Sequence, residues 1–138
     1  MIVVGDRPTF WFATVITVSP CVFLILVGLF VGRLSPAAMG LAGLAILLPF
    51  VLRLCCRLGD RRLMSFTHFR PSSVPIADVE SVSAEPFGSG SRIIARMPDG
   101  RVHALIITPH PWWVSYTDHE LRVGAAVEQL RQAVAASA

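Results

Sequence analysis

From Phe10 to Leu52 the chain carries a single charged side chain, Arg33, at the centre of the Gly32-Arg33-Leu34-Ser35-Pro36 break between two long apolar runs. A small chain has no core large enough to bury such runs, so their natural solvent is the hydrocarbon interior of a bilayer. As a helix, Phe10 to Val31 spans about 33 Å, enough to cross a core of ~30 Å with some tilt. Ser35 and Pro36 read as the cap and first turn of a second helix, which reaches Leu52 after roughly 26 Å. Arg53 and Arg57 extend it by reaching toward lipid headgroups. At the other end, Asp6 or Thr9 is available as a helix cap and Pro8 suits a first turn, while Pro20 predicts a kink. Gly28 with Gly32, and Ala38 with Ala42, predict a close-packed seam near the tight connection.

Composition agrees with a membrane chain: 54% of residues are hydrophobic and 15% charged, against roughly a quarter charged in soluble domains. The basic residues are all arginine, and they are unevenly placed. Six stand against Asp6 and Asp60 up to Arg62, and six against seven acids beyond it. A basic excess confined to the membrane portion reads as a topology signal and not as a nucleic-acid footprint. Arg7 precedes the first span; Arg53, Arg57, Arg61 and Arg62 follow the second. The positive-inside rule therefore predicts a multi-pass inner (plasma) membrane protein with both termini cytoplasmic. Arg53, Arg57 and Arg61 recur every four residues and share one face if the second helix continues to Gly59. With Arg62 they form a candidate lipid-headgroup site. A signal peptide cleaved after Ala37 is the competing reading, but its apolar run far exceeds the usual length of roughly 7–15 residues. The expected division is a transmembrane hairpin with its basic segment over 1–62 and a cytoplasmic domain over 63–138.

After Gly59-Asp60 the period changes from helix to strand. Leu63 to Phe69 reads as a strand ended by Pro71-Ser72-Ser73, and Val74 to Val79 as a bent approach to a strand over Glu80 to Phe87. Gly88-Ser89-Gly90 is a turn. Arg92 to Met97 and Val102 to Thr108 are strands joined by Pro98-Asp99-Gly100, whose Asp-Gly pair suits a tight turn. Pro109 to Tyr116 is an aromatic loop. Thr117 and Glu120 then make a capping box for a helix to about Ala135, with Val123, Val127, Leu130 and Val134 as its apolar stripe. One helix on one small sheet is an α+β module.

The stretch Val-Pro-Ile-Ala-Asp-Val-Glu-Ser-Val (residues 74–82), the Pro-Asp-Gly-Arg-Val hairpin, and the order hairpin, sheet, terminal helix resemble the small bacterial pleckstrin-homology-like (PH-like) membrane proteins. That resemblance implies a membrane α-hairpin followed by a small antiparallel PH-like sheet capped by a C-terminal helix. From Leu63 onward there is room for about four strands, against the seven of a full PH barrel, so an open or incomplete barrel is expected. The basic pattern by which some PH domains hold phosphoinositides is not recognisable. Arg92, Arg96 and Arg101 are the nearest substitute, and with Trp112 and Trp113 they form the candidate partner surface; one tryptophan is expected to pack between sheet and helix, and the other to dip into the interface or meet a partner.

No constellation for catalysis emerges. His68, His103, His110 and His119 are scattered, and no Cys-x-x-Cys spacing accompanies them, so no metal is expected. Gly88-Ser89-Gly90-Ser91 lacks the Lys and helix of a phosphate loop. Cys21, Cys55 and Cys56 do not make a disulfide framework. The expectation is a non-enzymatic, cofactor-free membrane protein whose PH-like domain binds or scaffolds a membrane-protein partner, or self-associates. The alternatives are an accessory subunit of a membrane enzyme or transporter, or an anionic-lipid sensor.

Overall fold

Two strands bracket the helical hairpin. β1 (Ile2–Val4) pairs antiparallel with β2 (Cys55–Gly59), setting Ile2 opposite Arg57 and Val4 opposite Cys55. Between them run α1 (Arg7–Val31) and α2 (Leu34–Leu52). The Gly5 N–H donates to the Leu54 carbonyl at 3.2 Å, so the ladder continues to the feet of the helices. The hairpin is thus an insertion in the connection between two neighbouring strands. The structure is a computed structural model and describes residues 1–67 and 70–137.

β3 (Arg62–Ser65) and β4 (Ser72–Pro75) complete an antiparallel sheet ordered β1-β2-β3-β4. A 3-10 turn (Ile76–Asp78) leads to a second antiparallel sheet of β5 (Ser81–Phe87), β6 (Gly90–Arg96) and β7 (Val102–Thr108). α3 (Tyr116–Ser137) closes the chain. The two sheets do not merge into a closed barrel. Side-chain period decides what faces inward. Val3, Cys56, Leu63 and Val74 turn into the core, while Ile2, Arg57 and Met64 face out. A bulge between Ile93 and Ile94 leaves Leu105 without an opposite residue. That is how the consecutive Leu105 and Ile106 both enter the core. On α3 the stripe Val123, Ala126, Val127 and Leu130 is buried, and Val134 packs beside it. Each fully buried Leu or Ile contributes about 1.5–3 kcal/mol. At one corner the sheets are tied directly: Ser65 and Thr67 hydroxyls each donate to the Ala104 carbonyl at 3.2 Å, and the Ile107 N–H donates to Arg53 O at 2.9 Å.

α1 ends at Gly32, whose φ of 68° is the left-handed conformation glycine adopts without strain. The Arg33 N–H then returns to Gly28 O at 2.9 Å, closing the last turn. A Cβ on Gly28 would stand 2.5 Å from the Ala37 nitrogen, and one on Gly40 would stand 2.5 Å from the Cys21 carbonyl oxygen. The seam therefore runs through Cys21, Gly28, Ala37 and Gly40. Of the four small residues expected there, Gly28 lies in the seam; Gly32 serves as the cap, and Ala38 and Ala42 are exposed, the contact on α2 falling to Ala37 and Gly40.

Several other expectations change. Among the described residues there are seven strands: five from Arg62 onward, against about four expected, because Ser72–Pro75 forms β4, and two more, β1 and β2, from the stretch 1–62 that join the sheet. Cys55–Gly59 is a strand and not a continuation of α2, so Arg53, Arg57 and Arg61 share no helical face. Ser72 and Ser73 sit within a strand, and β3 stops at Ser65. His68 and Phe69, the end of the expected strand, lie outside the described residues. α2 is preceded by Arg33 as its cap, with Pro36 inside its first turn. Asp6 occupies the cap position of α1 without a side-chain bond to the backbone. Ser115, not Thr117, caps α3: its Oγ accepts from the Asp118 N–H at 3.2 Å. The Asp-Gly hairpin forms as expected, with Gly100 at φ 83° and Asp99 Oδ1 accepting from the Arg101 N–H at 3.0 Å.

The seam can be tested by stability. Gly40→Leu drives a side chain into the α1 backbone and should cost about 1–3 kcal/mol, read as a lower melting midpoint in detergent. Gly124→Ala, on α3 with nothing within 4 Å of its added methyl, should instead gain about 0.5–1 kcal/mol. Equal melting of Gly40→Leu and wild type would remove the seam from the account.

Candidate functional site at the foot of the hairpin

Where α1 begins, a carboxylate is buried. Asp6 is 1% exposed, and three side chains surround it. The Thr9 hydroxyl, three residues on, donates to Asp6 Oδ2 at 2.6 Å. Arg122 of α3 brings Nη1 to 3.4 Å from Oδ1. His119, one turn earlier on α3, sets Nδ1 3.6 Å from Oδ2, just beyond hydrogen-bond reach. The foot of α1 is therefore joined to the C-terminal helix through a charge pair whose carboxylate is buried and whose guanidinium is part-exposed. Just before Asp6, Gly5 lets the chain run close to β7: a Cβ there would meet Thr108 Oγ1 at 2.2 Å.

His119 is itself 1% exposed and packs edge-on against His110, with ring centroids 5.0 Å apart. Burial holds its imidazole below the ordinary value of 6.5; Asp6 pulls the other way, and His110 and Arg122 add to the lowering. Thr108 Oγ1, His110 Nε2 and both His119 nitrogens have no hydrogen-bond partner among the described residues. Asp6 and His119 are each 1% exposed, so their contacts fix how α1 sits against α3. Among the described residues no group of three His, Cys, Asp or Glu side chains gathers as a metal site.

Beside this junction the aromatic loop returns to α1. Trp113 packs on Phe12 with ring centroids 4.5 Å apart, and Trp112 meets Trp113 edge-on at 5.7 Å. A groove of about 290 Å³ runs between them and Ile16, Pro109 and Pro111. A larger groove of about 420 Å³ lies on the outer face of the first sheet beneath α2, lined by Leu52, Cys55, Arg57, Met64 and Phe66. Burial raises the Cys55 thiol and, helped by the neighbouring Cys55, pushes Cys56 up to about 12. Both thiols stay protonated near neutrality, on opposite faces of β2, and are unsuited to nucleophilic chemistry.

The residues singled out from sequence fall in separate places. Arg53 sits half-buried at the end of α2. Arg57 lies on the outer face of β2, and Arg61 and Arg62 lie at the turn a strand length further on, roughly 15 Å from the helix end. Arg92 forms an ion pair with Glu85 and lies 5.1 Å from the Phe87 ring centre. Arg96 and Arg101 stand at the opposite end of β6 and β7, where Arg101 pairs with Asp99 at 2.5 Å and holds that carboxyl below its usual range. Trp112 and Trp113 belong to the hairpin foot. Arg96 and Arg101 thus share no surface with the tryptophans. Reasoning from sequence passed over Asp6 and His119 as a pair. Extending the α3 stripe one turn back from Val123 reaches His119, and that spacing was the available signal.

The buried imidazole gives a pH dependence. Unfolded chain protonates this side chain below about pH 6.5, while the folded protein resists it, so stability is full above that pH and is lost as pH falls toward the folded value. The melting midpoint should decline as pH falls below about 6.5. His119→Gln should flatten that decline; an unchanged slope would assign the effect to another group.

The chain matches no family model, no curated protein and no solved structure.

Proposed function

We propose that this chain is a non-catalytic integral membrane protein that presents a small PH-like domain at the cytoplasmic face of the plasma membrane for protein binding or scaffolding. The observation that carries the reading is the placement of an apolar hairpin between two paired strands. Two helices long and apolar enough to cross a membrane leave the sheet and return to it, their outward surfaces set with exposed side chains such as Phe23 and Phe30, the latter 95% exposed. A soluble domain would not leave such a surface open to water. Because β1 and β2 are neighbours, two crossings keep the whole sheet on one side. The arginines choose the side: Arg7 and Arg53 flank the feet, while Arg33 alone marks the far connection. Cleavage after Ala37 would remove β1 and take Val3 from the core, which counts against a signal peptide.

The PH-like assignment draws support from the strand plan. A four-stranded antiparallel sheet, a three-stranded one and a terminal helix follow one another, giving the seven strands that a full PH domain requires. In this reading the membrane hairpin occupies the first strand connection. The partner surface is the end of the domain remote from the helices, where Arg61, Arg62, Arg96 and Arg101 stand among Asp60, Asp78 and Glu80. Anchoring raises the effective concentration of that surface for another membrane protein.

Topology is the first thing to measure. In a Cys55→Ser background, Arg33→Cys should react with a membrane-impermeant maleimide on intact cells, and Asp99→Cys only after permeabilisation. The reverse pattern would invert the orientation, and equal labelling would refute spanning. Purification in mild detergent should then recover a protein partner that Arg96→Glu with Arg101→Glu releases. A chain recovered alone, bound to anionic lipid until Arg53 is changed, would move the function to lipid sensing.

A further inference from the structure

Among the described residues outside the hairpin, Trp112 is the most exposed large aromatic, at 89%, and the ring beside it, Trp113, is 47% exposed. Such rings standing in water call for a cover. What covers them follows from their neighbours. Trp113 rests on Phe12, which lies in the second turn of α1 and belongs to the same continuous apolar surface as Trp11, Val15 and Ile16. If α1 enters a bilayer from its Arg7 end, Phe12 lies at or just below the headgroup layer. A ring packed on Phe12 lies at the same depth. The groove lined by Trp113, Ile16 and the two prolines is almost wholly apolar. Arg7 and Arg53 stand at the helix ends on the same level, as phosphate-bearing headgroups require. Tryptophan, apolar in body with one N–H to satisfy, is the side chain best suited to that layer.

We propose that the loop joining β7 to α3 lies in the interfacial layer of the bilayer, with Trp112 and Trp113 among lipid headgroups, as a third membrane contact beside the two helix feet. This rests on the membrane reading given above. Two feet alone define an axis about which the domain can tilt. A third contact, displaced from that axis, removes the tilt and sets which face of the domain the membrane hides.

The test uses the full-length protein in vesicles of phosphatidylethanolamine and phosphatidylglycerol, with acyl chains brominated near their carbonyl ends. Trp11→Phe with Trp113→Phe leaves Trp112 as the sole tryptophan and keeps an aromatic ring on Phe12. Trp112→Phe with Trp113→Phe leaves Trp11 to report on the hairpin. Both variants should show blue-shifted emission and lose most of it to the brominated lipid, with little further loss to aqueous iodide. If Trp11 is quenched by lipid and Trp112 by iodide, the loop proposal is overturned and the membrane hairpin stands. If neither responds to lipid, the membrane reading falls and takes the loop with it. A Trp112 emission that is blue-shifted but blind to both quenchers would show that protein, such as a second copy, covers the loop, and would likewise overturn the proposal.

Discussion

The pairing of β1 with β2 is the interaction on which the rest of the structure depends. β1 is only three residues long. Its ladder nonetheless places Val3 in the core and continues through the Gly5 N–H to Leu54 O at 3.2 Å, where the helices depart. An isolated pair of short strands is marginal in water, so this one is held by what surrounds it. β3 and β4 extend the sheet on one side, and α3 lies against β1 on the other. Remove β1 and the hairpin would hang from α2 alone. With it, both helices are fixed at their feet to one rigid body.

The foot shows how that rigidity is built. Asp6 ends the strand segment and begins the helix, so any charge it carries lies at the boundary between sheet and apolar span. Leaving a carboxylate there without partners would be costly, since an uncompensated buried charge destabilises by several kcal/mol. Thr9 and Arg122 supply donors, one from the helix itself and one from the far end of the chain. The buried polar contact thus brings together the first turn of α1 and α3. Apolar packing could bring the same elements together, but its lack of direction would set their rotation less sharply.

Legibility from sequence followed the strength of local signals. The two apolar runs, the Asp-Gly turn and the Val123-Val127-Leu130 stripe each carry their own period or turn chemistry, and each stands where it was expected. β1 and β2 carry no such signal. Ile2–Val4 is too short for alternation to show, and it acquires strand character only by pairing across the whole length of the hairpin. Cys55–Gly59 follows an apolar helix without a Gly or Pro to mark the change, and the arginines every four residues imitate a helical face. On α1 Gly28 stands in the seam as expected, but on α2 several small residues near the turn satisfy the same spacing, and only the helix rotation chooses Ala37 and Gly40 over Ala38 and Ala42. At the site, Asp6 and His119 are separated by most of the chain, and no local rule joins them.

The absence of slack between the apolar hairpin and the domain bears on how such a protein would work. Only Gly5 and Asp6 separate β1 from α1, and only Arg53 and Leu54 separate α2 from β2. A flexible tether would let the domain sample many orientations, and its effective concentration would fall with tether length. Connections of two residues, one of them cross-linked by Asp6 to α3, allow neither. Under the proposed function the domain then moves with the hairpin as one body and is presented at a fixed height. Its remote end stands about the length of a seven-residue strand, roughly 20 Å, beyond the helix feet. A partner would have to meet it there, so a membrane protein with a cytoplasmic surface at that height fits better than a freely diffusing one. Selectivity would come as much from geometry as from the arginines that line that end.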